Sequence, residues 1–540
     1  MRHPLLLPGQ APDRRLTGST HGNEAVERQA WPAVPAQIAT WADAHPDAPA
    51  VSQYPRRWSY RQLVNAAAVL AERLSAAGVA SGQRVAVLGP RGFELVAAWT
   101  AVLATRAVLV PADPALPVKR QRDILDRAEH VVAVGDIAVP AASNTPVIRI
   151  ADTDLGAGSC ELPAQHSPLA DEPAYLFLTS GTTGRSKAII GRHRSLAHFL
   201  HWQRTTFQIG PGDRVAHVAS VEFDLSLREV FLPLTSGATL CLPPPGPVPP
   251  ASVVPWLSSE RITVIHAVPT VARAWLRAAP SEVRVPDLRL LLFSGEALKS
   301  PLVQRWRDQM RYRGRIINLY GPTETTFIRC WYEVPEVVTP GIQPLGRPIA
   351  DSLAWVDGAD GRPAQTGDTG EIVLRTRYGS GGYLDATAEE RARFVVAADH
   401  PEDTIFRTGD LGHVDQDGVL HFDGRADDQV KMYGIRVHLR AVEAVLEQQP
   451  GIDQAAVVAS PDPGGGAPHL TAHLVLEAGR HTVPTDLRTR LYGSLPVAAV
   501  PARFIVANTL PTTAASGKTD YRRLAEPTAS DTASAGDRHN

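Results

Sequence analysis

Short β-rich runs recur through the first part of this chain, and helical patterns separate them. QRVAVLGP, VVAVGD, RVAHVAS, TVIHAVP, LRLLLFSG and RIINLYG each hold a few apolar residues that run into Gly, Pro or Ser. WSYRQLVNAAAVLAERLSAAG instead spaces its apolar residues at three and four, and Gly78 suits its C-terminal stop. Strands that alternate with helices imply parallel sheets covered on both faces. The longest apolar segment, LVAAWTAVLATRAVLVPA, is broken by Arg106, so it reads as a buried helix followed by a strand rather than a membrane span.

Near residue 345 the pattern changes. SLAWVDGADGRPAQTGDTGEIVLRT has the look of antiparallel strands joined by Gly/Asp turns. GRADDQVKMYGIRVHLRAVEAVLEQQP then reads as a strand, a loop and an amphipathic helix, followed by the β-rich QAAVVAS and LTAHLVLEAG. The expected organisation is a mobile leader over 1–30, a large core over 31–424, a small α+β domain over 425–525 and a disordered tail over 526–540. The DGR at 423–425 marks the junction. CLPPPGPVPP is read as a surface loop.

At 540 residues more than one domain is the default. Lys+Arg 54 against Asp+Glu 56 leaves no electrostatic footprint for nucleic acid or an anionic membrane. The start, MRHPLLLPGQAPDRR, has too short an apolar stretch for a signal peptide. Cys160, Cys241 and Cys330 lie far apart, so buried free thiols in a reducing cytoplasm are expected.

YLFLTSGTTGRSKAI carries the first chemistry. An apolar strand ends in Thr179, Ser180, Gly181, Thr182, Thr183 and Gly184, and Lys187 comes three residues later. Glycines let backbone N–H groups close on an anion, the hydroxyls add donors and the lysine adds charge. The spacing is not that of a Walker loop. A plain surface turn is the alternative for this stretch taken alone.

FDLS, LFSGEAL, NLYGPTETT, GYLDATAEERARF, FRTGDLG, GRADDQVKMYGIRV and LPTTAASGKTDYRRL come next, in that order. Together these stretches resemble the core motifs of the adenylate-forming superfamily, and within it the amino-acid adenylation domains of nonribosomal peptide synthetases. The resemblance runs over about residues 35–525. It implies an α/β fold: parallel-rich sheets sandwiched by helices plus a distorted β-barrel, and a small α+β C-terminal domain on a hinge at Asp427. It implies ATP and Mg²⁺, with Thr179 to Lys187 holding the β- and γ-phosphates. Gly295, Glu296, Ala297, Asn318 and Tyr320 would hold the adenine, and Gly321 and Thr323 would also bind ATP. Glu324 would bind the metal, Asp410 and Arg425 the ribose, and Lys518 would bridge the substrate carboxylate and the α-phosphate. The residue types suit the chemistry, because a carboxylate must attack phosphorus past the triphosphate's own negative charge.

The same resemblance gives Asp224 the substrate's α-ammonium, since a buried cation needs a paired anion; a helix-capping role is the alternative. It makes Leu225, Arg228, His266, Leu292, Ser294, Leu319, Phe327 and Ile328 the side-chain pocket, between Asp224 and Lys518. His266, Leu292, Ser294 and Leu319 resemble serine-activating pockets, and Leu225 with Leu292, Ser294 and Leu319 resembles cysteine-activating ones. L-serine or a close small polar amino acid is the first expectation. Arg228 stands where an aromatic residue is usual; it either pairs with Glu229 or turns away, or it faces the pocket and selects an acidic or hydrogen-bond-accepting side chain. Phe327 and Ile328 add bulk.

Neither a GGDS- or GGHS-like serine after residue 525 nor an HHxxxDG motif occurs. The expectation is a free-standing, cytoplasmic enzyme that adenylates an amino acid and passes it to the phosphopantetheine thiol of a carrier protein supplied in trans. The Gly434 turn would line the thiol's channel. Tyr433, His438, Arg440, Arg185, Ser186 and Ala188 depart from the family pattern, while Glu443 keeps it. An MbtH-like helper is a further expected partner for some relatives. An acyl- or aryl-CoA ligase and a catalytically silent nucleotide-binding homologue are the competing readings.

Overall fold

The computed structural model describes residues 16–17, 31–140, 145–151, 161–163, 171–179, 187–425, 429–460, 468–477, 480, 482–511 and 519–525. The expectations for Cys160, for the tail, and for the leader apart from 16–17 lie outside them.

Two large sheets carry the parallel strands expected. In the seven-stranded sheet Val108–Ala112, Arg84–Leu88, His130–Val134 and Val147–Ile150 run parallel, and Val108–Ala112 also pairs with Pro173–Thr179. In the nine-stranded sheet Arg315–Tyr320, Leu290–Ser294, Val264–Ala267, Arg214–Ala216, Thr239–Cys241 and Pro49–Gln53 run parallel. One continuous core joins the two sheets through the helices between them. Phe93–Ala104 shows why: every residue of this helix except Glu94 is buried, as a helix apolar all round must be. Tyr60–Ala76 starts at a capping box, Ser59 Oγ accepting from the Gln62 amide and Gln62 Oε1 from the Ser59 amide, a device contributing about 1 kcal/mol.

The antiparallel region forms a six-stranded sheet around Ser352–Asp357, Gly370–Thr376 and Thr404–Val414. This is the region where a distorted barrel was expected; its pairings among the described residues form an open path. Leu16–Thr17, within the expected leader, pairs with Leu353 and Ala354. The C-terminal part has its own core, built from the helix Leu439–Glu447 on the strands Ile452–Ser460, His469–Leu476 and Arg503–Val506. Among the described residues no helix is long and apolar enough to cross a membrane. Cys241 and Cys330 are buried free thiols, and burial pushes the Cys241 thiol up to about 12.

Candidate active site

A cleft of about 720 Å³ opens between the two large sheets and the C-terminal part. Its walls gather Asp224, Leu225, Arg228, His266, Ser294, Phe327 and Ile328 with Gly295, Gly321, Thr323, Glu324, Asp410 and Arg425. Residues from 224 to 425 thus meet in one place because most of them stand at strand ends or in the turns just beyond.

The phosphate-loop residues 180–186 lie outside the described residues, as do Asp427 and Lys518. The loop's two ends are fixed: Thr179 closes one strand and pairs across the antiparallel ladder with Lys187, which opens the next. Lys187 Nζ lies 3.0 Å from a Glu390 carboxylate oxygen and 5.3 Å from the centroid of the Tyr383 ring. The Tyr383 hydroxyl donates to Glu324 Oε1 at 2.7 Å. A chain of contacts thus links the lysine to the buried acid. Tyr383 and Glu390 both sit in GYLDATAEERARF, yet only the tertiary structure shows what they touch.

Glu324 belongs to a strained turn. The 3₁₀ turn Thr323–Thr325 is followed by Thr326 and Phe327 at φ +64° and +61°, unusual for a β-branched and a bulky residue. Fully buried Arg329 holds the turn from below, its Nε donating to the Thr325 carbonyl at 2.7 Å and its Nη2 to that of Tyr378. Gly321 is required, since a Cβ there would lie 2.3 Å from the Phe327 carbonyl oxygen. The turn brings both Glu324 and the Phe327 ring to the cleft.

On the nucleotide side, Tyr320 donates to Asp410 Oδ2 at 2.7 Å, and Arg425 bonds Oδ1. Asp410 and Arg425 face each other in the ladder register. Asn318 is anchored instead of free: its amide donates to the Pro344 carbonyl at 2.7 Å. Glu296 Oε2 accepts from the amide and hydroxyl of Thr270 at 3.0 and 2.6 Å, and Oε1 accepts from the Gly434 amide at 2.9 Å. The Tyr433–Gly434 turn of the small domain is therefore docked beside Gly295 and Glu296; Ala297 comes after them, partly buried.

On the amino-acid side, Asp224 is the N-cap of Leu225–Leu234 but makes no capping hydrogen bond. Burial raises its pKa, opposed by the nearby Arg228 charge and the Thr323 hydroxyl. Arg228 faces the cleft. It is 3% exposed, and Nη2 donates to Ser294 Oγ at 3.0 Å. It makes no pair with Glu229, which accepts from the Val218 and Ala219 amides at 3.1 and 2.9 Å. Burial pushes Glu229 up to about 8. His266 Nε2 lies 2.6 Å from Gln203 Nε2, a partner on a distant helix that no motif marks. Burial holds the His266 imidazole well below its ordinary pKa. Leu292 and Leu319 do not line the cleft. They are packed in the main core behind it, 0% and 2% exposed.

The AMP-binding enzyme family matches residues 38–384, and the AMP-binding enzyme C-terminal domain matches 441–518. A dimodular nonribosomal peptide synthase of Bacillus subtilis (strain 168) is 34% identical over 87% of this chain, and a delta-poly-L-ornithine synthetase of Acinetobacter baumannii (strain AB307-0294) is 33% identical over 89%. The chain spans only 20% and 36% of those relatives. Among solved structures, holo-PA1221, an NRPS protein containing adenylation and PCP domains, superposes with a TM-score of 0.78 at 26% identity, covering 92% of this chain and 84% of that one. IdnL1 gives 0.74 at 28% identity, covering 91% and 100%. The chain belongs to the AMP-binding enzyme family, as an AMP-forming ligase of the adenylate-forming superfamily with the adenylation domains of nonribosomal peptide synthetases among its relatives.

Proposed function

We propose that this protein joins an amino acid to AMP and then passes the aminoacyl group to the phosphopantetheine thiol of a carrier protein. The observation that carries the amino-acid part is Asp224. Its carboxylate stands on the cleft wall, does not cap its helix and makes no ion pair among the described residues, and burial raises its pKa. An α-ammonium would supply the missing countercharge. An acid without an amine would leave this carboxylate unpaired.

In this reading the substrate carboxylate attacks the α-phosphorus, its C–O–P bond forms, and pyrophosphate leaves with the broken P–O bond. Asp410, held by Tyr320 and Arg425, offers a bidentate acceptor to two ribose hydroxyls. Lys187 offers charge to the departing phosphates. Lys518 has the bridging role that the family pattern gives it. A single buried carboxylate, Glu324, suits Mg²⁺, which takes one or two protein carboxylates and completes its shell with water and phosphate oxygens. Among the described residues no larger cluster of ligating side chains stands together. When bound, the metal would supply neutralising charge to the triphosphate. The carrier thiol would approach past the docked Gly434 turn.

L-serine, the substrate first expected, rested on the set His266, Leu292, Ser294 and Leu319, with His266 and Ser294 as its polar members. Gln203 lies against His266 Nε2 and Arg228 donates to Ser294 Oγ, so a serine hydroxyl would share the wall with a buried guanidinium that it cannot neutralise. The test is amino-acid-dependent pyrophosphate exchange over the proteinogenic amino acids with aryl and fatty acids alongside. Exchange with amino acids, followed by loading of a holo carrier protein, supports the reading. Exchange confined to acids lacking an amine, or transfer to coenzyme A alone, overturns it. A silent preparation is repeated with an MbtH-like protein present before it is counted.

A further inference from the structure

Arg228 is a cation in the wrong place for a neutral substrate. Its side chain is buried on the cleft wall, and two of its nitrogens, Nε and Nη1, meet no acceptor among the described residues. Nη2 reaches only the neutral Ser294 hydroxyl. The guanidinium carbon lies 5.9 Å from the ring centroids of both Phe199 and Phe327; these rings favour a cation at their faces but accept no in-plane hydrogen bond. Leaving a buried charge with unmet donors costs several kcal/mol, so a partner is missing.

The described residues do not provide one. Glu229, the adjacent residue, has turned Oε2 to two backbone amides. Asp224 and Glu229 both act on Arg228 through space without an ion pair; burial favours the protonated form of Glu229, and in the proposed adenylation Asp224 is committed to the α-ammonium. His266 stands on the same wall, with Nε2 2.6 Å from the Gln203 side-chain amide and Nδ1 buried with no partner among the described residues. The Arg228 guanidinium, which can only donate, therefore faces the cleft without an acceptor among the described residues for Nε and Nη1. A serine hydroxyl would accept one bond and leave the charge uncompensated. Once Asp224 is matched to the α-ammonium, charge balance calls for one further negative group at the far end of the substrate.

We propose that the pocket takes an amino acid whose side chain ends in an anionic oxygen group, bound by Arg228 with Ser294 beside it. Aspartate and glutamate carry such a group as a carboxylate, O-phosphoserine as a phosphate. This specificity rests on the amino-acid adenylation reading.

The test is pyrophosphate exchange with aspartate, glutamate and O-phosphoserine against asparagine, glutamine, serine and cysteine. It uses the wild type, Arg228→Lys and Arg228→Met. The wild type is expected to favour an acid over its amide by about 100-fold or more in kcat/KM, as for a site whose buried donors need the missing acceptor. Arg228→Met is expected to erase that ratio and Arg228→Lys to keep part of it. The preferred anion separates carboxylate from phosphate. Thermal melting checks that the variants fold; if Arg228→Met does not, the wild-type acid-to-amide ratio decides alone. A wild type that prefers serine or cysteine, or an acid-to-amide ratio unchanged in Arg228→Met, overturns the proposal and leaves adenylation standing. Exchange with no amino acid, alongside exchange with aryl or fatty acids, overturns the adenylation reading and this proposal together.

Discussion

Gly434→Ala should separate the two half-reactions. Tyr433 and Gly434 join the strands Gln429–Met432 and Ile435–His438 in a two-residue hairpin, with φ +52° and +81°, the signature of a type I′ turn. Alanine at the second position is strained by about 1–2 kcal/mol, but that strain acts wherever the hairpin is folded. The contact with the large domain is different. A Cβ on Gly434 would lie 2.9 Å from Val268 Cγ2 and 3.3 Å from Cγ1. Relieving it pulls the Gly434 amide off Glu296 Oε1, where it now donates at 2.9 Å. A hydrogen bond to a charged acceptor contributes about 1.5–3 kcal/mol, so the docked state should lose roughly 10- to 150-fold in population. Pyrophosphate exchange, in which the Gly434 turn is given no part, should change less than about threefold. Single-turnover transfer to a holo carrier should fall by the larger factor. Val268→Ala removes both crowding methyls, so the double variant should recover transfer. Equal losses in both half-reactions, or no recovery in the double variant, would refute the reasoning.

Other perturbations test other parts of the cleft. Tyr320→Phe removes the donor to buried Asp410, and should destabilise the fold by about 1.5–3 kcal/mol in urea melts and raise the KM for ATP. Glu229 has a folded pKa of about 8, raised above the ordinary carboxylate value, so the native state holds its proton more tightly. That stability is present at low pH and fades as pH rises from the carboxylate range to about 8, by up to about 1.4 kcal/mol per unit. Glu229→Gln should flatten this slope in pH-dependent melts, and an unchanged slope would contradict the assignment. Lys518→Ala should abolish adenylate formation while ATP still binds by calorimetry; full exchange by that variant would remove its proposed role.

Much of the cleft is legible in the sequence because its residues sit where strands end. LRLLLFSG and RIINLYG form adjacent parallel strands, and the motif at the C-terminal end of each strand reaches the cleft. Asp224 needed only its place after Phe223. The orientation of Arg228 was not legible, yet helix geometry holds the reason. Arg228 and Glu229 are neighbours in one helix, and side chains one residue apart point to different sides. A pair between them was therefore never favoured, and Glu229 reaches the strand-end amides instead. Gln203 carries no sequence signal because its link to His266 spans 63 residues and two elements, with no spacing rule connecting them. Leu292 and Leu319 match a pocket pattern by position, but burial depth is a tertiary property, and they stand one layer behind the wall.

That depth has a consequence for how such a cleft can change its substrate. Along Arg315–Tyr320 the side chains alternate: Ile317 and Leu319 enter the main core behind the amino-acid side, while Tyr320 packs with Leu420 and Phe422 of the antiparallel sheet. Asn318 shares the Tyr320 face, anchored on the Pro344 carbonyl. One strand thus backs two binding surfaces whose side chains do not touch through the sheet. Arg228 enters from a third direction, on the helix Leu225–Leu234. Its charge can be altered without shifting the strand that supports Tyr320 and Asp410. A change at Arg228 should therefore move the kcat/KM for the amino acid while the KM for ATP stays within about twofold. If both move together, the two surfaces are coupled through the helix, and independent variation of the side-chain pocket is not open to this fold.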